Sequence, residues 1–340
     1  MISRGLFMAE PIITILMTVY NGEKYLKDSI ESILKQTYQD FEFLIINDKS
    51  TDNSADIINS FNDFRINIVT NDKNIGQTCS LNKGLKLAKG KYIARMDADD
   101  KAFPYWLEHQ LNFIKKNPEY TVVSTKASVM DVNNRITKIL NSPQSYQEII
   151  LKCLVGSPIN HVGSLFKKDI ILECGGYDEN FKIAADYDLW SRLIRGKYKF
   201  ACIDTIGVAV RVHEQSISII EKENKTDLLE MSKIMRANIQ CLTQKNISDE
   251  QAKLLWRLVY SVGSLNKGEF GEANKILKNI YAHMHSSLGI SFNLALNFRK
   301  KMIKVFYIKR VFNTYPWFSN VYRWLSEKKA KFQLKRDCLC

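Results

Sequence analysis

The chain has 340 residues, 45% of them hydrophobic and 25% charged, a balance that fits one large or two modest globular domains and excludes a disordered chain. Its net charge of +13 is uneven: residues 299–340 carry 12 Lys/Arg against Glu327 and Asp337, which leaves the other 298 residues at only +3. Seven cysteines with no Cys-x-x-Cys pair signal neither a zinc site nor a disulfide framework, and no run of 18 apolar residues is present to span a membrane.

Reduced thiols in a cytoplasmic protein are therefore expected. Residues 1–10 lack the apolar stretch of a secretory signal. Residues 12–19 form a β-branched apolar run stopped by Tyr20-Asn21-Gly22, which predicts a buried strand and a turn. Leu26, Ile30, Ile33 and Leu34 then recur at helical spacing. Residues 41–46 predict a second buried strand, ended by Asn47-Asp48-Lys49-Ser50; Ser50-Thr51-Asp52 offer N-caps for a helix carrying Ile57, Ile58 and Phe61. Residues 65–70 read as a third strand. Residues 77–89 read as a helix with Leu81, Leu85 and Ala88 on one face and Gly90 past its end. Residues 91–96 read as a fourth strand, running into Asp97-Ala98-Asp99-Asp100.

This alternation predicts an α/β fold with a doubly wound, mostly parallel sheet. Ligands bind such sheets beyond the carboxyl ends of the strands, so residues 18–21, 48–51 and 97–100 gather on one edge. After Pro104 a helix with Leu107, Leu111 and Ile114 ends at Asn117-Pro118, and strand-like and loop segments follow to 219. Beyond 220 the character becomes helical, with helices predicted over 228–242 and 251–265. The expected division is a catalytic domain over 11–219, a helical region over 220–298 and a basic, aromatic tail over 299–340.

Three carboxylates within four residues at a strand end repel one another, and a hard divalent cation relieves that repulsion. An acidic solvated loop is the bland alternative, because short acidic motifs are common. The motif has company in chain order: Thr14-Ile15-Leu16-Met17-Thr18-Val19-Tyr20-Asn21-Gly22-Glu23, Phe41-Glu42-Phe43-Leu44-Ile45-Ile46-Asn47-Asp48, Asn74-Ile75-Gly76, Leu81-Asn82-Lys83-Gly84, Gly175-Gly176-Tyr177-Asp178 and Ala185-Asp186-Tyr187-Asp188-Leu189-Trp190. Together these segments resemble the family 2 glycosyltransferases of bacterial surface-polysaccharide pathways, over about residues 11–219.

The resemblance implies a GT-A fold and an inverting transfer from a nucleotide sugar, often a UDP-sugar, to a glycan or lipid-linked acceptor. Carried over by position, Thr18, Tyr20, Glu23 and Ala98 would line the nucleotide-sugar pocket and Asp48 would accept a hydrogen bond from the base. Asp97 would meet the ribose, Asp99 would hold Mg²⁺ or Mn²⁺, and Asp186 would be the general base. Asp186 has an apolar neighbourhood suited to a raised pKa, with a helix N-cap as its alternative role. His213 would be a further metal ligand, or else a structural or solvent-facing histidine. His161 reads as an acceptor-side or packing residue. The chain departs from the family pattern at Met17, often Pro, at Asn47 and Lys49, often Asp and Gly, and at Ala185, usually Glu.

A sugar nucleotidyltransferase is the alternative enzyme, but its Gly-rich triphosphate cradle has no counterpart in Tyr20-Asn21-Gly22-Glu23. The near-neutral body shows no nucleic-acid recognition motif, so a nucleic-acid partner is not expected. The tail interleaves basic residues with Phe306, Tyr307, Tyr315, Trp317, Tyr322 and Trp324, which fits peripheral contact with an anionic membrane surface or a packed helical unit with a solvated basic face.

Overall fold

The computed structural model describes residues 10–140, 142–214, 226–260, 265–291, 293–300 and 303. The tail beyond 303, and with it the expected membrane contact, lies outside the described residues. No helix among the described residues is long and apolar enough to cross a membrane.

The first half is built as its hydrophobic runs dictate. Strands β1 (Ile13–Val19) and β2 (Phe41–Asn47) are buried at every position. Burial on both faces is what a continuous apolar run, rather than an alternating one, encodes. Ile13, Ile15, Met17 and Val19 face one core with helices α1 (Glu23–Leu34) and α4 (Trp106–Lys116). Leu16 faces the other core with Leu81 and Leu85 of α3 (Gln77–Leu87). Together with α2 (Ser54–Asn59), β3 (Ile66–Thr70) and β4 (Tyr92–Asp97), these elements give a parallel block ordered β3-β2-β1-β4.

The second half adds β5 (Lys101–Ala102), β6 (Tyr120–Met130), β7 (Ile136–Ile139), β8 (Leu165–Lys167) and β9 (Lys199–Arg211). The described strands form one sheet, ordered β3-β2-β1-β4-β8-β6-β9-β5, with β7 on β6. Strand β8 runs antiparallel to β4 and β6, while β6 and β9 are parallel. The connection from β4 to β5 forces this half to curl. The two strands stand four places apart in the sheet order, a flat distance of about 19 Å at about 4.8 Å per strand. Only residues 98–100 join them, and such a link reaches about 14 Å at most.

Three helices in the second half were not legible as helices: α5 (Tyr146–Cys153), α6 (Lys168–Glu173) and α7 (Ala185–Arg195). They are short, six to eleven residues, so each leaves at most about three turns of helical pattern in a stretch expected to be strand-like and looped. Two smaller expectations are also corrected. Helix α2 starts at Ser54 with Asn53 before it; of the three expected caps, Asp52 accepts the Ser54 N–H at 3.0 Å, whereas Ser50 and Thr51 do not cap it. Gly90 does not cap α3, which ends at Ala88; its N–H donates to Oγ1 of Thr14 at 2.8 Å, and a Cβ there would lie 2.3 Å from the Thr14 nitrogen.

Beyond residue 225 come α8 (Thr226–Thr243), α9 (Asp249–Tyr260) and α10 (Lys267–Leu288). Met235, Ile239, Leu255, Trp256, Leu277 and Tyr281 join the same apolar cluster as Leu151, Tyr187 and Trp190. The fully buried Asn238 of α8 donates to the Cys153 carbonyl at 2.9 Å and to Ser191 Oγ at 2.8 Å. The shift in sequence character near 220 is thus not a change of core.

Gly90→Ala should destabilise the protein by about 1–3 kcal/mol, the usual cost of forcing extra volume into packed backbone. A thermal melt should fall by several degrees; an unchanged midpoint would contradict the close approach of β1.

Candidate active site

The mouth of the parallel block is stitched across its loops. After β1, the Asn21 and Gly22 N–H groups donate to Ser50 Oγ (3.2 Å) and Ser54 Oγ (2.9 Å), and the Glu23 N–H donates to Asp52 Oδ2 (3.0 Å). In return, Thr51 N–H donates to Asn21 Oδ1 at 2.8 Å. The Glu23 carboxylate is taken by Asn53, through its backbone N–H at 3.0 Å and its side-chain amide at 2.7 Å. Asn47 Oδ1 accepts the Ser50 N–H at 3.0 Å, and Lys49 adopts a left-handed φ of 60°. A glycine holds that conformation without strain.

Asp48 is 2% exposed, and three donors point at its carboxylate: Asn71 Nδ2 at 2.7 Å, Ile75 N–H at 2.9 Å and Gly76 N–H at 2.8 Å. An ionised carboxylate offers about four lone-pair positions, so one remains for a ligand. Thr18 is buried beside Asp97 in the β1–β4 register, whereas Tyr20 stands half exposed at the rim. Ala98 packs at the edge of the α1 core.

At the end of β4, carboxylate oxygens of Asp97, Asp99 and Asp100 lie within 4.8 Å of one another. Burial, reinforced by its two neighbours, pushes Asp100 well above the usual carboxylate range, although its Oδ1 accepts the Arg211 N–H at 2.7 Å. Burial also raises Asp97, opposed by Arg95, whose Nη1 lies 2.5 Å from Asp97 Oδ1. Asp99 is the most open of the three, and His213 Nε2 lies 2.9 Å from its Oδ2. The His213 ring packs 5.1 Å from that of Tyr25.

This set suits a divalent cation. The three carboxylate oxygens lie close enough to share one ion, and His213, hydrogen-bonded to Asp99, stands beside it as a further candidate ligand. Carboxylate with imidazole fits Mn²⁺, and carboxylate with water fits Mg²⁺.

Asp186 sits in the first turn of α7 and is not its N-cap, a position held by Ala184. Its Oδ2 accepts from Ser157 Oγ at 3.1 Å and its Oδ1 from the Tyr187 N–H at 2.7 Å. Burial lifts its carboxyl above the ordinary range; the Tyr187 N–H, the Ser157 hydroxyl and the nearby Arg95 charge temper that rise. Ala185 is buried in the core. His161 packs against Trp190, with Nε2 2.7 Å from Tyr177 Oη. Burial and the Arg95 charge hold it neutral, well below the ordinary imidazole range.

The turn before α7 is pinned from two sides. Asn82 of α3 accepts the Tyr177 N–H at 2.9 Å and donates to the Tyr177 carbonyl at 2.8 Å. Gly176 has a φ of 67°, and a Cβ there would come 2.7 Å from Asn82 Oδ1. On the other side, Glu230 of α8 accepts backbone N–H bonds from residues 182–184.

Sequence reasoning missed Arg95, Arg211 and Ser157. Arg95 had a readable signal: a charge inside Ile93-Ala94-Arg95-Met96, an otherwise apolar strand, is out of place unless it is paired. Arg211 closes β9, stacks 4.3 Å over Tyr25 and donates through Nε to the Asp99 carbonyl at 2.8 Å. Ser157, in a loop, carried no signal.

Comparison with known proteins identifies the family and the fold. The profile of the family described as "Glycosyl transferase family 2" matches residues 14–174. An uncharacterized glycosyltransferase of Haemophilus influenzae is 29% identical over 315 residues, 88% of this chain and 94% of that protein. The O-antigen biosynthesis glycosyltransferase WbnJ of Escherichia coli is 35% identical over 187 residues, 54% of this chain and 72% of that protein. Among solved structures, residues 1–349 of TarS from S. aureus, in complex with UDP-GlcNAc, superpose with a TM-score of 0.55 at 17% identity, covering 86% of this chain and 90% of that one. The strand-end carboxylates and the collinear motifs thus lie on a GT-A fold, and the chain belongs to the family 2 glycosyltransferases.

Proposed function

We propose that this enzyme transfers one sugar, with inversion, from a nucleotide sugar to a hydroxyl of a glycan or lipid-linked glycan in surface-polysaccharide synthesis. The observation that carries this reading is the strand-end cluster of Asp97, Asp99 and Asp100 with His213 against Asp99. A UDP-sugar is the first donor to test, because TarS binds UDP and UDP-GlcNAc on the same fold.

In this reading the base lies near Thr18 and Tyr20, with the last acceptor position of Asp48 taking a base N–H. The Glu23 carboxylate serves the pocket indirectly, by holding Asn53. Asp97 meets the ribose. Asp99 and His213 hold the Mg²⁺ or Mn²⁺, which when bound supplies positive charge against the departing diphosphate.

Asp186 takes the proton from the acceptor hydroxyl. The oxygen then attacks the anomeric carbon from the side opposite the diphosphate, and the carbon–diphosphate bond breaks with its electron pair leaving on the phosphate. One displacement gives an inverted anomeric centre. Ser157 orients the Asp186 carboxylate.

Asp99→Ala should abolish metal-stimulated binding of UDP and reduce transfer to background. Calorimetry with UDP and Mn²⁺ tests it, and near-normal turnover would remove the metal role.

Asp186→Asn should leave UDP affinity within about twofold while lowering kcat at least about 10²-fold, the low end for losing a general base. In the native enzyme kcat should fall as pH drops through the Asp186 pKa, which burial sets above the usual carboxylate range, because only the ionised form accepts the proton. A mutant that lost donor affinity and kept kcat would make Asp186 a binding residue. Retained anomeric configuration by NMR would overturn the single displacement.

The charge of residues 299–340 supports peripheral attachment on the cytoplasmic face of the membrane. Full-length protein should co-sediment with anionic vesicles, less so at high salt as the Debye length falls from about 10 Å to about 3 Å. A truncation ending near residue 297 should not bind, and equal binding of the two forms would refute the tail's role.

A further inference from the structure

Helix α7 starts without a side-chain cap of its own. A helix start leaves backbone N–H groups unsatisfied, and consecutive N–H groups pointing the same way form a concavity for an anion. Here three consecutive N–H groups are filled by one carboxylate from a distant helix. Glu230 Oε1 accepts the Lys182 N–H at 2.9 Å, while Oε2 accepts those of Ile183 at 3.0 Å and Ala184 at 2.9 Å. Asp186 follows two residues later. A second contact from α8 reinforces the first, with Lys233 Nζ 5.4 Å over the Phe181 ring. From the nucleotide side, Thr78 of α3 donates to the Phe181 carbonyl at 3.1 Å.

We infer that Glu230 is a positioning residue for catalysis: a carboxylate of the C-terminal helices that latches the turn before α7 and so fixes Asp186 toward the acceptor. This rests on the reading of Asp186 as the acceptor's base. The latch lies outside the span that matches the family profile, residues 14–174. It makes the C-terminal helices part of the machinery for transfer and not an appendage to it. Glu230 spends its carboxylate on the N–H groups of residues 182–184, so in this reading it acts on kcat through Asp186 and leaves donor affinity alone.

The test uses the full chain with E230Q, nearly isosteric, and E230A, each checked by thermal melt. Glutamine keeps one carbonyl oxygen but turns an NH₂ toward N–H donors, so the nest loses part of its filling. Hydrogen–deuterium exchange should quicken at least about 10-fold at the amides of residues 182–184, with β4 unchanged, because the latch is what protects them. With UDP-GlcNAc, UDP-glucose and UDP-galactose as probe donors, kcat should fall at least about 10-fold while UDP affinity stays within about twofold. Small misplacements of a reacting group cost at least that much. In an Asp186→Asn background, E230Q should have no further effect on kcat, since a residue acting through Asp186 has nothing left to position.

Unchanged exchange at 182–184 would overturn the latch. Faster exchange with unaltered kcat, or a loss of kcat that multiplies with that of D186N, would overturn its catalytic role. Absence of wild-type turnover with every donor counts against the donor reading, and the exchange result still decides the latch.

Discussion

A guanidinium taken out of water loses several kcal/mol of solvation even after the protein relaxes around it. Arg95, 1% exposed in the middle of β4, carries that cost under the floor of the site. Asp97, in contact at 2.5 Å, offsets part of it, and Nε has no hydrogen-bond partner among the described residues. The same charge lowers the proton affinity of Asp97 and Asp186 and disfavours a proton on His161. The two carboxylates assigned to opposite jobs, ribose contact and proton removal, therefore share one buried counter-ion. Without it, the three acids at the end of β4 would crowd one another with no buried guanidinium against them.

The scaffold around that charge works by tying loops to loops. The turn before α1 and the turn before α2 exchange hydrogen bonds through Asn21, Ser50, Asp52, Asn53 and Ser54. Asp48 fastens the approach to α3, and Asn82 of α3 fastens the Gly175-Gly176-Tyr177 turn. Each tie is a polar side chain closing on backbone groups. The mouth of the sheet is thus held in shape by its own motif residues, and this explains why several of them are engaged with the protein.

The parallel block was legible because fully buried strands leave uninterrupted apolar runs and their turns leave Asn, Asp and Gly. Asp97, Asp99 and Asp100 stood out for the same reason, as charges at the end of an apolar run, whereas Asp186 was legible only through the family resemblance. From 119 to 219 the signal fades. Strands β6 and β9 carry register shifts, and α5 to α7 are only six to eleven residues long, too short to leave an extended helical pattern. Long-range partners were beyond a one-dimensional reading. Nothing local in Glu230 or Arg211 tells that one closes on residues 182–184 and the other on Asp100.

The short link from β4 to β5 has a mechanical meaning. Residues 98–100 act as a tie rod across the mouth of a bent sheet, and Asp99 and Asp100 are mounted on the rod itself. His213 reaches Asp99 from just beyond β9, the strand that β5 pairs with, so the β5–β9 pairing is what brings the two together. Flattening the sheet would stretch the rod beyond its reach. An inserted residue in this stretch would slacken the rod, which makes its length as much a part of the site as its acids.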